Sequence, residues 1–384
     1  MKVPVEFDEI RCYEPEELPQ VFQRLIADPQ FRTVMAYAMP GVPFEKVEQI
    51  MLSCNTGLEF QRRLCYGFLE NLIAKCTGGC TMDASALDNG SRYTFISNHR
   101  DIVIDSAFLC KMLIDAGFNT TCEIAIGDNL LSLPWVKDLV RVNKSFIVKR
   151  GLSPRETLRA SKTLSEYMHF VMTTKHDNMW IAQREGRAKD SDDRTQPAIL
   201  KMLAMGGKSG GVIENLAALH IVPLAISYEF DPCDFLKAAE FQLKRDVEGW
   251  KKTKEEDVVS MQTGVMGYKG RVHYHCAPCI DEWLATLDRD MPKMEMFDAI
   301  AEHIDKEIHR NYRLYPANYV ALDLLGGGSE HSDKYTDKDK AEFMQYIDKR
   351  LLMIDVPNKD EAFLRERLLT MYANPAVNHI AACS

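Results

Sequence analysis

A histidine and an aspartate within one turn of chain are the residues of this 384-residue sequence best spaced to do chemistry together. The stretch Tyr93 to Leu109 reads YTFISNHRDIVIDSAFL: strand-like residues run into Asn98-His99-Arg100, and an apolar pattern resumes around Asp105. A strand ending before Asn98 puts His99 in a strand-to-helix turn and Asp105 in the first helical turn. The helix dipole favours a carboxylate there, and that carboxylate can accept a hydrogen bond from one imidazole nitrogen. The other nitrogen then stands ready to take a proton from a hydroxyl, the task of a general base. Asp101 stands closer to His99 and is suited to capping the same helix.

Three later segments carry residues with a compatible purpose. FIVKRG ends an apolar run on Lys149 and Arg150, and IAQREGRAKD ends another on Arg184, Glu185, Gly186 and Arg187. An arginine clamps phosphate oxygens through two parallel hydrogen bonds, and a glycine lets backbone approach closely. Glu185 is suited to holding Arg187 or a backbone N–H of the same loop. IVPLAIS contains Pro223, which shapes the backbone of its strand by removing a ladder hydrogen bond.

NHRDIVID resembles the first motif of the glycerolipid acyltransferases, and FIVKRG, REGR and IVPLAIS are similar to that family's second, third and fourth motifs, in the family's order. Together they cover residues 95 to 227. The resemblance implies transfer of a fatty acyl group from acyl carrier protein or coenzyme A to the hydroxyl of glycerol 3-phosphate or a lysophospholipid. It implies His99 as base with Asp105 as its partner, and Lys149, Arg150, Arg184, Glu185, Gly186 and Arg187 around the acceptor phosphate, with no metal or bound cofactor. The sequence departs from the family at one point. Where the family places four residues between histidine and aspartate, five intervene here, Arg100 to Ile104, which leaves open whether Asp105 or another group partners His99.

Around these motifs the sequence predicts three regions. Residues 1–80 read as an N-terminal helical domain: PEELPQVFQRLIAD, FRTVMAYAM, PFEKVEQIMLSC and LEFQRRLCYGFLENLIAK carry apolar residues at spacings of three and four. Over 81–325, short β-like runs (RYTFIS, CEIAIG, SFIVKR, NMWIAQ, IVPLAISY, GRVHYHCA) alternate with helical ones. That alternation predicts an α/β fold, a mixed, largely parallel sheet flanked by helices, with catalytic loops at strand ends. A long helix is expected to end before Pro316. Residues 326–384 read as an exposed, mobile Gly-rich and charged linker and two closing helices, roughly Lys340 to Met353 and Asp360 to Tyr372, packed on the catalytic domain. The helical segment ahead of a catalytic domain resembles the arrangement of the soluble plastid glycerol-3-phosphate acyltransferases.

Composition limits the alternatives. A formal net charge of −9 argues against a general nucleic-acid binder. No apolar run approaches the roughly 18 to 20 residues that span a bilayer, and the start, MKVPVEFDEIRCYEPEE, lacks the apolar core of a signal peptide. A cytoplasmic protein is expected, attached peripherally to the inner face of the cell membrane through an apolar helix face. Eleven irregularly spaced cysteines suit reduced thiols. Cys76 and Cys80, and His273, His275, Cys276 and Cys279 in VHYHCAPC, suggest zinc ligands. Strand alternation, however, sends the two histidines to one face and Cys276 to the other. MGGKSGG lacks the first glycine of a phosphate-binding P-loop, since position 202 is Met202.

Rival functions differ in what they need. Acylation of another lipid precursor would keep the whole site. A metal-dependent phosphoesterase would use His99, Asp101 and Asp105 with further ligands such as His169 or His176, and a non-catalytic lipid- or acyl-carrier-binding protein would need the basic residues without His99.

Overall fold

The computed structural model describes residues 2–384. Its centre is a seven-stranded sheet: β1 (Cys80–Asp83), β2 (Thr94–Ser97), β3 (Cys122–Gly127), β4 (Ser145–Val148), β5 (Asn178–Ala182), β6 (Ile221–Tyr228) and β7 (Val272–Cys276). The strands lie in the order β1-β7-β6-β2-β5-β3-β4. β2 runs parallel to both neighbours, with Ile96 opposite Ile181 of β5 and Pro223 of β6, and only the β6–β7 pairing is antiparallel. The sheet is therefore mixed and largely parallel, as the alternating pattern predicts. β1 is an addition: CTMD is too short and polar to stand out in the sequence, and it is recruited by pairing with β7 at the sheet edge.

Both faces of the central strands are buried, which explains their nearly continuous apolar composition. Phe95, Trp180, Val222, Leu224 and Ile226 point to one side, against the helices Tyr66–Cys76 and Ile104–Asp115. Ile96, Met179, Ile181, Ile221 and Ala225 point to the other, against Pro154–Phe170, Pro197–Ala204 and Lys293–Arg310. The chain leaves β2 towards β3 and β4 and returns through β5 to β6 on the other side of β2. This topology puts the carboxyl ends of β2, β5 and β6 side by side, where open α/β sheets bind ligands.

The predicted N-terminal helices occur at Leu18–Ala27, Pro29–Ala38, Phe44–Leu52 and, after Gly57–Phe60, Tyr66–Cys76. The first three bury Leu18, Phe22, Phe31 and Met51 in a core that also takes in Phe60 and Val142. Among the described residues, no helix is long and apolar enough to cross a membrane.

The C-terminal third departs most from the sequence reading. The long helix ends at Arg310, and a separate, unpredicted helix occupies Pro316–Gly326. The charged connection after it is pinned rather than loose: Asp323 accepts hydrogen bonds from the backbone N–H of His331 and from the Tyr335 hydroxyl at 2.8 Å. The last helix, Glu361–Cys383, runs through Pro375 instead of stopping near Tyr372. Tertiary contacts outweigh the local penalty of that proline. Leu364, Leu368 and Tyr372 share a core with Val320, Phe343 and Ile347, and Asn374 and Asn378, on either side of Pro375, bond a distant loop.

Candidate active site

The turn that follows β2 is fastened from both sides. Asn98 uses its side chain as a strand would use its backbone: Nδ2 donates to the Ile226 carbonyl at 2.9 Å and Oδ1 accepts from the Ile226 N–H at 2.8 Å. Trp180 of β5 donates through Nε1 to Ser97 Oγ at 3.0 Å and presents its ring edge-on to His99, centroids 5.7 Å apart. His99 therefore leaves the sheet with its ring direction set by neighbours on β5 and β6.

Its Nδ1 lies 2.8 Å from Asp105 Oδ2. The same oxygen accepts the backbone N–H groups of Arg100 at 2.7 Å and Asp101 at 3.0 Å, and Oδ1 accepts the Tyr228 hydroxyl at 2.9 Å. Burial pushes the Tyr228 phenol well above its ordinary range, so it acts as a donor at neutral pH. Asp105 is fully buried, and four donors supply the hydrogen bonds that a carboxylate removed from water requires. No hydrogen bond within the described residues engages His99 Nε2, and the His99 side chain keeps 13% of its exposure.

The extra residue between His99 and Asp105 is absorbed by a wound turn. Asp101 Oδ1 accepts the N–H groups of Val103 and Ile104, both at 2.8 Å, and this turn delivers the chain into the helix that begins at Ile104. Asp101 thus closes the turn ahead of the helix rather than serving as its N-cap, which is Val103. Burial and then the nearby Asp105 raise the Asp101 carboxyl above the usual carboxylate range. Its Oδ2 faces Gly264, where an added Cβ would meet it at 1.9 Å. Gly264→Ala is expected to displace the Asp101 carboxylate and destabilise the fold by about 1–3 kcal/mol. Denaturant unfolding monitors that loss, and an unchanged midpoint would show that the turn does not depend on this contact.

Arg100, adjacent to His99, turns away from it. Its Nη2 pairs with buried Asp193 at 2.7 Å and its guanidinium lies over the Tyr312 ring at 5.7 Å. Asp193 also accepts the Tyr312 hydroxyl at 2.6 Å. Arg100 is therefore an anchor between the histidine turn and the loop that follows β5.

That loop carries Arg184 and Arg187, two of the four predicted basic residues. It leaves the sheet through Gln183, whose N–H donates to the Ser97 carbonyl at 2.8 Å, and it turns at Gly186, whose φ of +70° favours glycine. Arg187 is half-buried, its charge is within reach of Asp101 and Asp231, and its buried Nη1 has no hydrogen-bond partner. Arg184 is half-buried with an unpartnered Nε. Glu185 pairs with Arg150 Nη1 at 3.0 Å, joining the ends of β4 and β5, and so does not hold Arg187. Lys149 projects to solvent and pairs with Glu9 of the N-terminal segment. The structure thus brings Arg187 to the histidine turn and couples Arg150 to the same loop, while Lys149 faces elsewhere.

The C-terminal helices hold this loop in place. Asn374 Nδ2 donates to the Asp190 carbonyl at 2.8 Å, Asn378 Nδ2 to Asp192 at 3.1 Å, and Arg194 to Asn378 Oδ1 at 3.0 Å. From Lys293–Arg310, Asp305 accepts the Thr195 N–H and hydroxyl at 2.7 and 2.6 Å, and His309 Nε2 lies 2.7 Å from the Asp193 carbonyl. Burial raises the Asp305 carboxyl to about 6.

The phosphoesterase alternative finds no ligand set here. His169 is buried with Nε2 at 2.9 Å from the Leu203 carbonyl, and the cluster among the described residues able to hold a metal lies elsewhere, at His220, Cys279 and Asp281.

The seven-stranded α/β sheet thus presents a histidine–aspartate pair at the end of β2 and arginines at the ends of β4 and β5. Residues 80–227 match the model of the Acyltransferase family, somewhat over a third of the chain. Among solved structures the chain is similar to the 1-acyl-sn-glycerophosphate (LPA) acyltransferase PlsC from Thermotoga maritima. The two are 10% identical with a TM-score of 0.37, over 76% of this chain and 97% of that one. No curated protein matches the sequence. The matched residues 80–227 lie between N-terminal and C-terminal helices.

Sequence reasoning missed the residues that support the pair. Tyr228 is the last residue of the strand containing Pro223, one position beyond the motif, and only the β2–β6 pairing directs it at Asp105. Asn98 was visible beside His99, but its role depends on Ile226, 128 positions away. Gly264 and Asp193 gave no signal.

Proposed function

We propose that the protein transfers a fatty acyl group from an acyl thioester, carried by acyl carrier protein or coenzyme A, to the hydroxyl of glycerol 3-phosphate or a lysophospholipid. One observation carries this reading: Asp105 Oδ2 holds His99 Nδ1 at 2.8 Å while the opposite ring nitrogen remains available to a substrate. His99 Nε2 takes the proton from the acceptor hydroxyl as its oxygen attacks the thioester carbonyl. Asp105 stabilises the imidazolium that forms, and the proton then passes to the departing thiolate. Arg187, with Arg184 and Arg150, supplies cations for the acceptor phosphate, and Glu185 orients Arg150. The matched acyltransferase domain supports the reaction class; the phosphate-bearing acceptor follows from the arginine set. No step requires a metal or a bound cofactor. Both products favour a protein working at the cytoplasmic membrane surface through peripheral attachment.

The test is direct. Purified protein is given radiolabelled acyl thioester with glycerol 3-phosphate, lysophosphatidic acid or a phosphate-free lipid alcohol, and the organic phase is analysed. Acylation of a phosphate-bearing acceptor in preference to the alcohol is expected. Equal use of the alcohol would remove the assigned role of the arginines, and no acylation of any acceptor would overturn the reading as a whole.

A further inference from the structure

At the opposite end of β6, a second cluster has no part in acyl transfer. His220 immediately precedes β6, Cys279 lies in the turn after β7, and Asp281 opens the short helix Asp281–Leu284 that follows it. Backbone hydrogen bonds bring them together: Thr94 N–H donates to the His220 carbonyl at 3.1 Å, Ala277 N–H to Pro223 at 2.9 Å and Ile280 N–H to Ile221 at 2.9 Å. One ligand atom from each of His220, Cys279 and Asp281 lies within 4.8 Å of the others. His220 Nδ1 is 2.5 Å from Asp281 Oδ2, while Asp281 Oδ1 is buried without a hydrogen-bond partner. His220 also holds a φ of +47°, the left-handed region that a histidine seldom occupies.

We propose that His220, Cys279 and Asp281 form a zinc site that staples the entry of β6 to the exit of β7. Imidazole, thiolate and carboxylate together match zinc, whereas magnesium and calcium call for oxygen ligands throughout. With zinc bonds of about 2.0–2.3 Å, tetrahedral donor atoms lie roughly 3.3–3.8 Å apart. Binding therefore opens the short His220–Asp281 hydrogen bond to that spacing and seats the Cys279 sulfur at a similar distance from both. The unpartnered carboxylate oxygen gains a cation nearby, and water completes the fourth position. A thiolate and a carboxylate neutralise the ion's two charges. Only the thiolate ligates zinc, so binding releases the Cys279 proton and affinity rises with pH. β6 spans about 25 Å between this cluster and the His99 end of the sheet, which makes the metal structural rather than catalytic. Cys279 is thus the member of VHYHCAPC positioned to ligate: His273 faces Thr81 Oγ1 at 2.8 Å, and Cys276 is buried on the other face.

The experiment uses the full chain, stripped with chelator under reducing conditions and titrated with cobalt(II) as the probe. The expected result is one equivalent bound, with a thiolate-to-cobalt charge-transfer band and visible absorption of tetrahedral intensity, both abolished by zinc. Cys279→Ser is expected to lose the charge-transfer band, His220→Ala and Asp281→Asn to weaken binding, and the Cys76→Ser/Cys80→Ser double variant to behave as wild type. Zinc should raise the thermal midpoint of the wild type but not that of His220→Ala, with folding of each variant checked by circular dichroism. Absence of the band in the wild type, its persistence in Cys279→Ser, or its loss in the double variant alone overturns the proposal. The readouts do not involve acyl transfer, so the outcome is independent of the function proposed above.

Discussion

His99→Ala is expected to lower kcat for acyl transfer by about 10²–10⁴-fold, the usual contribution of a positioned general base, with little change in the folded state. The small structural cost follows from the surroundings. His99 is the partly exposed member of the pair, and Asp105 keeps three other donors when the imidazole is removed: two backbone N–H groups and the Tyr228 hydroxyl. The rate is measured at saturating thioester and acceptor, so that binding and chemistry separate. A variant retaining wild-type kcat would remove His99 from the mechanism. Asp105→Asn refines the test. The amide is nearly isosteric, and with its oxygen in the Oδ2 position it still accepts from the backbone and the ring, while Tyr228 can turn its hydroxyl to accept from the new NH₂. What disappears is the negative charge that stabilises the imidazolium, so kcat should fall while the unfolding midpoint changes less than in Asp105→Ala. Equal kcat in wild type and Asp105→Asn would reduce Asp105 to a steric support.

The second large effect is expected at Arg187. Its Nη1 is buried and unpartnered, an arrangement with a cost of its own unless a ligand completes it. If that ligand is the acceptor phosphate, Arg187→Ala forfeits a charge-assisted hydrogen bond of about 1.5–3 kcal/mol and raises the KM for the phosphate-bearing acceptor roughly 10–100-fold. The KM for the acyl thioester should change far less. Arg187→Lys keeps the charge but loses the planar fork, so it should recover only part of the affinity. Arg150→Ala is expected to cost less, because Arg150 is a third exposed and already paired with Glu185 in solvent. Lys149→Ala, at a lysine paired with Glu9 at the surface, should cost least. An Arg187→Ala variant with unchanged acceptor KM would transfer the phosphate role to Arg184 or remove it from this loop.

These two experiments probe residues named from sequence, but the reasons for the ranking come from the fold. By itself, the sequence determined the alternating α/β plan, six of the seven strands, the N-terminal helices, and the short-range placement of His99 and Asp105. Each depends on local chemistry: side-chain period, turn residues, and a spacing that one strand-to-helix turn can close. The departure of one residue in that spacing could not be resolved locally, because its resolution rests on how Asp101 winds the turn and on Gly264, which leaves room for the Asp101 carboxylate. The strand order lay equally beyond the sequence. By setting β2 between β5 and β6, it brings Tyr228 to Asp105 across 123 positions, Trp180 to His99 and Asn98 to Ile226. It also decided which basic residues converge: Arg187 faces the turn, whereas Lys149 pairs at the surface although it adjoins Arg150 in sequence. The C-terminal helices illustrate the same limit: the last one is expected to end near Tyr372, yet it continues through Pro375 as Asn374 and Asn378 meet the loop behind Arg187. Local periodicity is written in neighbouring residues, but which distant groups meet depends on strand order and packing, and those are settled only when the whole chain closes around one core.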